Sequence, residues 1–173
     1  MSKDLIIKDN TLINASYTIS LTEQRILLLS IAKAQRTGSE INHNDYVHIH
    51  ANEFIDAFGT SQQNVYRDLK TACDTLFSRE FSYKQGSKLI RSHWLQSSIY
   101  EENNGSIEIL FAKELIPFIS QLKKRFTSYH LEDVSEMTSV YAIRLYELII
   151  AWRSTHKTPV FEIDELRVKL GVE

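Results

Sequence analysis

The chain begins a second copy of one of its own units, and this internal repeat constrains the fold more than any other feature of the sequence. Residues 49–59 align with residues 161–171: each segment has an Asn or Asp followed by Glu, and two apolar residues four positions apart before a closing glycine. A longer apolar helix precedes each copy, over residues 25–32 and 144–151, and the connection to the glycine is seven residues longer in the first copy. Tandem units of this size indicate duplicated domains.

Length and composition predict a packed protein without a membrane segment. The 173 residues are 43% hydrophobic and 10% aromatic, which is enough for a core in one or two domains. The apolar run at residues 26–32 is far shorter than the ~20 residues that span a bilayer, and the N-terminus lacks the apolar stretch of a signal peptide. We therefore expect a cytoplasmic protein. The single cysteine, Cys73, excludes an internal disulfide and is predicted to be a buried thiol.

The first unit alternates helical and strand patterns. A Ser-Leu-Thr-Glu capping box opens a helix over residues 20–36. Alternating apolar and polar residues predict a strand at 46–50, and a short helix at 53–58, capped by Asn52, should follow it. A second helix, at 62–77, has apolar residues at every third or fourth position and polar residues on its other face.

Beyond residue 78 the period changes to that of strands. Runs at 81–83, 89–100 and 107–111 are separated by Gln-Gly-Ser and by Asn-Asn-Gly, so they predict an antiparallel meander. Helix, strand, short helix, tight turn, second helix and hairpin is the order of a winged helix-turn-helix domain. The sequence thus predicts an α+β fold: a winged helix-turn-helix domain with an antiparallel β-hairpin wing, and the start of a second winged-helix domain.

A winged helix-turn-helix holds one helix rigidly, so that its polar face can enter a DNA groove while the wing follows the adjacent backbone. Amides at the start of that helix suit base edges, and cations on the helix and on the wing suit phosphates. The predicted DNA-binding residues are Gln62, Gln63, Asn64, Arg67, Lys70, Lys84, Lys88 and Arg91. The same side chains would also suit an ordinary solvated surface. Because the formal net charge is −2, any basic surface must be local.

Several motifs resemble those of the theta-type plasmid replication initiators, the Rep proteins of iteron-bearing plasmids. The most specific is Tyr-Ala-Ile-Arg-Leu-Tyr-Glu-Leu at residues 141–148. Leu-Ile-Asn-Ala-Ser at 12–16, Leu-Thr-Glu-Gln-Arg at 21–25 and Phe-Thr-Ser-Tyr at 126–129 are also similar to that family. The resemblance therefore covers nearly the whole chain.

The resemblance implies two winged-helix domains in tandem. Residues 1–134 would form the first, which in this family mediates dimerisation and touches the DNA backbone; residues 135–173 would start the second and end before its recognition helix. It further implies a non-enzymatic initiator without metal or cofactor. Such a protein binds double-stranded origin repeats (iterons) as a monomer, recruits host replication proteins, and forms a homodimer that represses its own gene. The chain is accordingly expected to be a fragment of a longer initiator.

Two other functions fit parts of the sequence. A transcriptional repressor could have the same folds, and origin melting would distinguish it from an initiator. His48 and His50 form a His-hydrophobic-His triplet on a predicted strand, a pattern with which rolling-circle nicking enzymes hold a divalent metal beside a tyrosine nucleophile. Tyr66 or Tyr141 would have to be that nucleophile, and no carboxylate is obviously placed as a third ligand.

The predicted meander also indicates a dimer. Its alternating apolar residues give more apolar surface than one small domain covers easily, and a free strand edge invites pairing with a second copy. These residues are Phe81, Tyr83, Ile90, Trp94, Ile99 and Ile107. We expect the dimer interface to involve residues 89–111.

Overall fold

The computed structural model describes residues 4–120, 122 and 124–172. Its helices are α1 (Asn10–Asn14), α2 (Leu21–Thr37), α3 (Ala51–Phe58), α4 (Val65–Ser78), α5 (Ile116–Ile119), α6 (Val140–Ile150) and α7 (Ile163–Leu170). Its strands are β1 (Leu5–Asp9), β2 (Val47–His50), β3 (Glu80–Gln85), β4 (Lys88–His93), β5 (Leu95–Glu101), β6 (Ser106–Phe111) and β7 (Phe126–His130). The mixture of helices and antiparallel strands confirms the α+β class.

A three-stranded antiparallel sheet, ordered β2-β6-β5, forms the centre of the first unit. The chain runs through α2, β2, α3 and α4 before it reaches β5 and β6, which is the predicted winged-helix order. Ile49, Ile107 and Ile109 are fully buried, because alternate residues of each strand face the same side of the sheet. No helix among the described residues is long and apolar enough to cross a membrane.

The predicted meander is wrong in one respect, since residues 80–111 belong to two sheets. β3 and β4 form a separate hairpin, and β5 pairs with β6. The chain passes from one sheet to the other at Trp94, which is fully buried with its ring centroid 4.9 Å from those of Tyr17 and Phe81. The break between the two strands falls at this buried aromatic residue, although the alternation of residues 89–100 continues through it.

The burial of this region also corrects the predicted dimer surface. Phe81, Trp94 and Ile107 are at most 1% exposed and belong to the core, so they cannot contribute to an interface between copies. Ile99 is 41% exposed on β5, which is an edge strand of the three-stranded sheet. Leu89, at the start of β4, is 64% exposed.

The capping box of α2 is confirmed. Ser20 Oγ accepts a hydrogen bond from the Glu23 backbone N–H at 3.2 Å, and the Glu23 carboxylate accepts one from the Ser20 N–H at 2.6 Å. Gly38 ends the helix with a φ of 67°. Glu23 is fully buried and lies 2.8 Å from Arg79 Nε, so it also ties α2 to the residue that follows α4.

The predicted start of α4 is wrong by three residues. The helix begins at Val65 rather than Gln62, because Asn64 has a φ of 67°, a left-handed conformation that cannot lie inside a right-handed helix. The apolar face is as predicted. Leu69 and Cys73 are fully buried, which confirms the prediction of a buried thiol, and burial raises the pKa of that thiol to about 12.

The two copies of the internal repeat have the same local structure. α3 and α7 are both eight residues long, and each is followed by a glycine with positive φ, 61° at Gly59 and 74° at Gly171. Residues 160–162, the counterpart of β2 in the second copy, do not form a strand. They have no strand partner among the described residues, and Val160 is 94% exposed. A strand needs a neighbour to satisfy its backbone groups, which explains the difference.

A two-stranded ribbon carries the N-terminal part of the chain across the first unit. β1 pairs antiparallel with β7, with Lys8 opposite Thr127. Alternate residues of the ribbon point inward, so Ile6 and Lys8 are fully buried and Tyr129 is 2% exposed. This ribbon places the ammonium group of Lys8 in the interior, where it meets α6.

Candidate nucleic-acid interface

The three predicted base-reading amides lie in the turn before α4. Gln62, Gln63 and Asn64 are all exposed, and the Gln63 N–H donates to Ser61 Oγ at 3.3 Å within this turn. They therefore precede the helix instead of forming its first turn. Their side chains can reach a ligand that approaches the N-terminal end of α4, but the turn presents them less regularly than a helix face would.

Arg67 and Lys70 share the exposed face of α4, one turn apart. The Arg67 side chain is 71% exposed, and its Nε is 3.9 Å from the neighbouring Asp68 carboxylate. Lys70 Nζ lies 5.4 Å from the centroid of the Tyr100 ring, a cation–π distance. Both cations therefore lie on the outer surface, as predicted, and Lys70 contacts the ring of Tyr100 on β5.

The hairpin that belongs to the winged-helix sheet is acidic. β5 ends at Glu101, and residues 102–105, which begin with Glu102, join it to β6. Burial and the nearby charges of Glu102 and Glu101 raise the pKa of Tyr66, a residue in the first turn of α4. Carboxylates at this position repel phosphates, so the sheet's own wing has the opposite charge to the predicted one.

The basic hairpin is a different element. Lys84 and Lys88 lie on β3 and β4, on either side of the turn at Gly86, and both are exposed. Arg91, on β4, is bound by Glu80: its Nε donates to the carboxylate at 3.0 Å. The prediction of a basic hairpin is correct, but its assignment to the wing is wrong. The sequence pattern gives no sign that the strand breaks at Trp94. Of the hairpin's three cations, Arg91 already has an acidic partner.

The two histidines of β2 lie in different environments. The His48 side chain is exposed, whereas His50 Nδ1 accepts from the Asn52 N–H at 3.1 Å. His50 therefore caps α3, and the prediction that Asn52 is the cap is wrong. In the part of the chain that the structure describes, no three His, Cys, Asp or Glu side chains form a group that could hold a metal ion.

A buried charged cluster joins β1, β7 and α6, and sequence reasoning did not identify it. Lys8 Nζ donates to Glu147 Oε1 at 2.5 Å, and the Tyr129 hydroxyl donates to the same oxygen at 2.6 Å. Burial lowers the pKa of Lys8, and the Glu147 charge opposes this shift. The available signal was the pair Arg144 and Glu147, two charges three residues apart on a helix that is otherwise apolar.

The chain runs through α2, β2, α3, α4 and the β5–β6 hairpin, and the three strands of this series form one sheet. This order, with exposed cations on α4, defines a winged-helix protein of the nucleic-acid-binding class. Residues 5–150 match the family of initiator replication proteins over its WH1 domain, and the chain belongs to this family. The resemblance and the predicted fold are thereby confirmed. The family is DNA-binding and non-catalytic, so the chain is not an enzyme and the nicking hypothesis is wrong.

Two curated proteins of Escherichia coli are similar to the chain. A replication initiation protein is 25% identical over 182 residues, covering 100% of this chain and 56% of that protein. An uncharacterized 27.6 kDa protein is 27% identical over 168 residues, covering 90% of this chain and 70% of that protein. The chain thus spans just over half the length of the first relative.

Two solved structures are also similar. The crystal structure of the WH1 domain of the replication protein MSBI1.176 is 41% identical, covers 65% of this chain and 89% of that one, and has a TM-score of 0.56. The Pi initiator protein in complex with iteron DNA is 20% identical, covers 98% of this chain and 73% of that one, and has a TM-score of 0.71. At 20% identity the second likeness shows a shared fold.

Proposed function

We propose that the chain is the WH1 part of a plasmid replication initiator that binds repeated duplex sites (iterons) at an origin. The observation that carries this proposal is the family match over residues 5–150, supported by the structural likeness to an initiator crystallised on iteron DNA. The complete protein would recruit host replication proteins in the cytoplasm, and its dimer would repress its own gene. Shift assays on tandem repeats against a scrambled duplex test the binding, and strand opening by the full-length protein distinguishes initiation from simple repression.

We propose that residues 1–134 form the first winged-helix domain and that residues 135–173 begin the second. Aligning Arg25 with Arg144 places Leu145 and Ile149 of α6 over Ile26 and Ser30 of α2. Ile26 and Ser30 are at most 1% exposed, whereas Leu145 and Ile149 are 39% and 46% exposed. The exposed positions of α6 are therefore available to pack against a further element of the second unit.

We propose that the first unit contacts DNA mainly through phosphates. Exposed cations lie on α4 and at the tip of the β3–β4 hairpin, among other places, while the amides Gln62, Gln63 and Asn64 lie in an irregular turn. Phosphate contacts position a protein without reading bases, so binding by this unit should be weak and should depend little on sequence.

Replacing Arg67 and Lys70 together by glutamine should weaken duplex binding by a similar factor on every sequence. If each cation neutralises one phosphate, the log–log salt slope should fall by about 1.8, at about 0.9 for each phosphate that is no longer neutralised. The matched opposite change is Glu101→Gln with Glu102→Gln, which removes two repelling charges and should strengthen binding. Shift assays over a range of salt concentrations measure both variants.

These variants show whether α4 or the β3–β4 hairpin contacts the DNA. If neither pair of variants changes the affinity while Lys84→Gln with Lys88→Gln weakens it, the hairpin is the DNA contact and α4 is not. Tight, salt-insensitive binding to one repeat sequence would contradict the phosphate-contact proposal, because it would require direct base reading by the first unit.

We propose that the chain forms a homodimer through the edge of the three-stranded sheet at β5. An edge strand has unpaired backbone groups that a second copy can extend, and Ile99 adds apolar surface there. Ile99→Lys should therefore shift the chain towards monomer at tens of micromolar, as measured by sedimentation or light scattering. Val160→Lys is the control, since Val160 is 94% exposed and far from β5 in sequence. A wild-type chain that is strictly monomeric would refute the proposal.

A further inference from the structure

Arg144 joins three segments that are far apart in sequence. Its Nη2 donates to the Ala15 carbonyl at 2.9 Å and to the Lys169 carbonyl at 2.5 Å, and its Nη1 donates to the Tyr17 hydroxyl. The guanidinium also lies 3.9 Å from the centroid of the Tyr17 ring. Because Arg144 is only 1% exposed, these bonds are shielded from water and use the fixed geometry of the guanidinium.

The end of α7 meets residues 14–18 at a second point. A Cβ added to Gly171 would come within 2.4 Å of the Tyr17 carbonyl oxygen, so only glycine fits at this position. Thr18 Oγ1 donates to the Gly171 carbonyl at 3.3 Å, and Lys169 Nζ donates to Asn14 Oδ1 at 3.2 Å. The C-terminal end of α7 is therefore seated by polar contacts and a close backbone approach.

Apolar packing holds α7 less firmly than the main helices, since Leu166 and Leu170 are only half-buried. None of its residues is buried, and Ile163 and Val168 are 74% and 56% exposed. On one side a cavity of about 700 Å³ separates the helix from the β3–β4 hairpin, with Val168 and Leu89 among the residues that line it. A helix with so little buried apolar area depends on its few specific contacts for a fixed position.

We propose that Arg144 is a positioning residue that holds α7 on residues 14–18 of the first unit, and so fixes the angle at which the second unit is presented. Glu147 Oε2 also lies 3.9 Å from Arg144 Nη1, but the Glu147 carboxylate binds Lys8 and Tyr129 as well. Removal of the Arg144 guanidinium therefore frees α7, while α6 keeps its contacts with β1 and β7. The consequence for DNA binding rests on the proposed function, whereas the seating of α7 does not.

The sharpest test compares Gly171→Ala with Gly59→Ala. Both glycines follow eight-residue helices and have positive φ, so both variants suffer the same backbone strain. The added Cβ of Gly59→Ala meets no atom within 4 Å, whereas that of Gly171→Ala strikes Tyr17. We expect the amides of α7 to exchange roughly tenfold faster or more in Gly171→Ala, with α7 unchanged in Gly59→Ala.

Arg144→Met tests the guanidinium directly, with Arg153→Met as its control because Arg153 lies just beyond the same helix and donates to the Ser128 carbonyl. Spin labels on Asp68→Cys and Glu162→Cys should give one narrow distance in the wild-type background and in Arg153→Met, and a broader distribution in Arg144→Met. The buried Cys73 stays unlabelled.

Three results would overturn the inference. The first is unchanged exchange of α7 in both Arg144→Met and Gly171→Ala, and the second is an unchanged spin-label distance. The third is an equal gain in exchange across α2 and the three-stranded sheet, which would make Arg144 a general support of the fold. If Arg144→Met does not fold, Gly171→Ala still decides whether α7 is held on residues 14–18. All these readouts are made without DNA, so failure of the proposed function would leave them unaffected.

Discussion

Glu147→Ala is expected to lower the free energy of unfolding by about 3–5 kcal/mol, because it leaves the Lys8 ammonium buried without its partner. Both side chains of the pair are 0% exposed, so water cannot replace the missing carboxylate. The Tyr129 hydroxyl is left without its acceptor at the same time. For a chain of this length the change corresponds to a drop in Tm of roughly 6–20 °C, which urea titration and calorimetry can measure.

Glu165→Ala is the matched control for this prediction. Glu165 is exposed on α7 and lies 3.6 Å from Lys169, a surface pair that contributes at most about 0.5 kcal/mol. Lys8→Met combined with Glu147→Leu should recover a large part of the lost stability, since a buried ion pair can be replaced by apolar groups of similar volume. A loss below about 1 kcal/mol in Glu147→Ala would show that Lys8 is solvated or deprotonated in the native protein.

The stability lost in Glu147→Ala should depend on pH. Burial lowers the pKa of Lys8, and removing Glu147 takes away the charge that opposes this shift. The unfolded chain then binds the Lys8 proton more tightly than the folded chain, so the stability of the variant rises with pH up to the unfolded pKa of about 10.4. The deficit relative to wild type should therefore shrink as the pH rises towards about 10.4 in parallel urea titrations.

Trp94→Ala is expected to cost about 3–5 kcal/mol, as large-to-small changes of buried aromatic residues do. The Trp94 ring packs against Tyr17 and Phe81, so its removal leaves a cavity where the hairpin, the three-stranded sheet and residues 15–17 meet. Because the indole N–H has no hydrogen-bond partner among the described residues, Trp94→Phe should cost much less. The free energy of unfolding from urea titration checks both values.

Trp152→Ala is the control for the Trp94 prediction, since Trp152 is 43% exposed and should matter little to stability. The two tryptophans are the only ones in the chain, so each variant also isolates the fluorescence of the other. Unfolding of Trp94→Ala at the same urea concentration as wild type would contradict the expected loss of stability.

Local patterns predicted the helices and strands well where a terminal signal was strong. The capping box at Ser20 fixed the start of α2, and Gly59 fixed the end of α3. Prediction failed where the deciding interaction came from elsewhere in the chain. The start of α4 was wrong because a backbone conformation at Asn64, rather than a capping side chain, sets it.

The candidate DNA-binding residues were predicted with the right exposure and the wrong grouping. Arg67 and Lys70 share one helix face because residues three apart on a helix are neighbours, a relation that sequence spacing contains. The placement of Lys84 and Lys88 on a separate hairpin depends on Trp94 entering the core, which spacing does not contain. The wing of the winged-helix sheet is therefore the β5–β6 hairpin, whose tip carries Glu101 and Glu102. Its charge is negative, whereas the predicted wing was basic.

The sequence by itself determined the family, the α+β winged-helix order, the internal repeat and the face of each main helix, because these depend on local periodicity and short-range turn chemistry. Only the tertiary structure decided which hairpin joins the sheet, where Lys8 lies, and how Arg144 seats α7. Each of these depends on contacts between residues more than a hundred positions apart or on the burial of one large side chain. Burial changes the free energy of a charge by several kcal/mol, and no local pattern records which charges will be buried together.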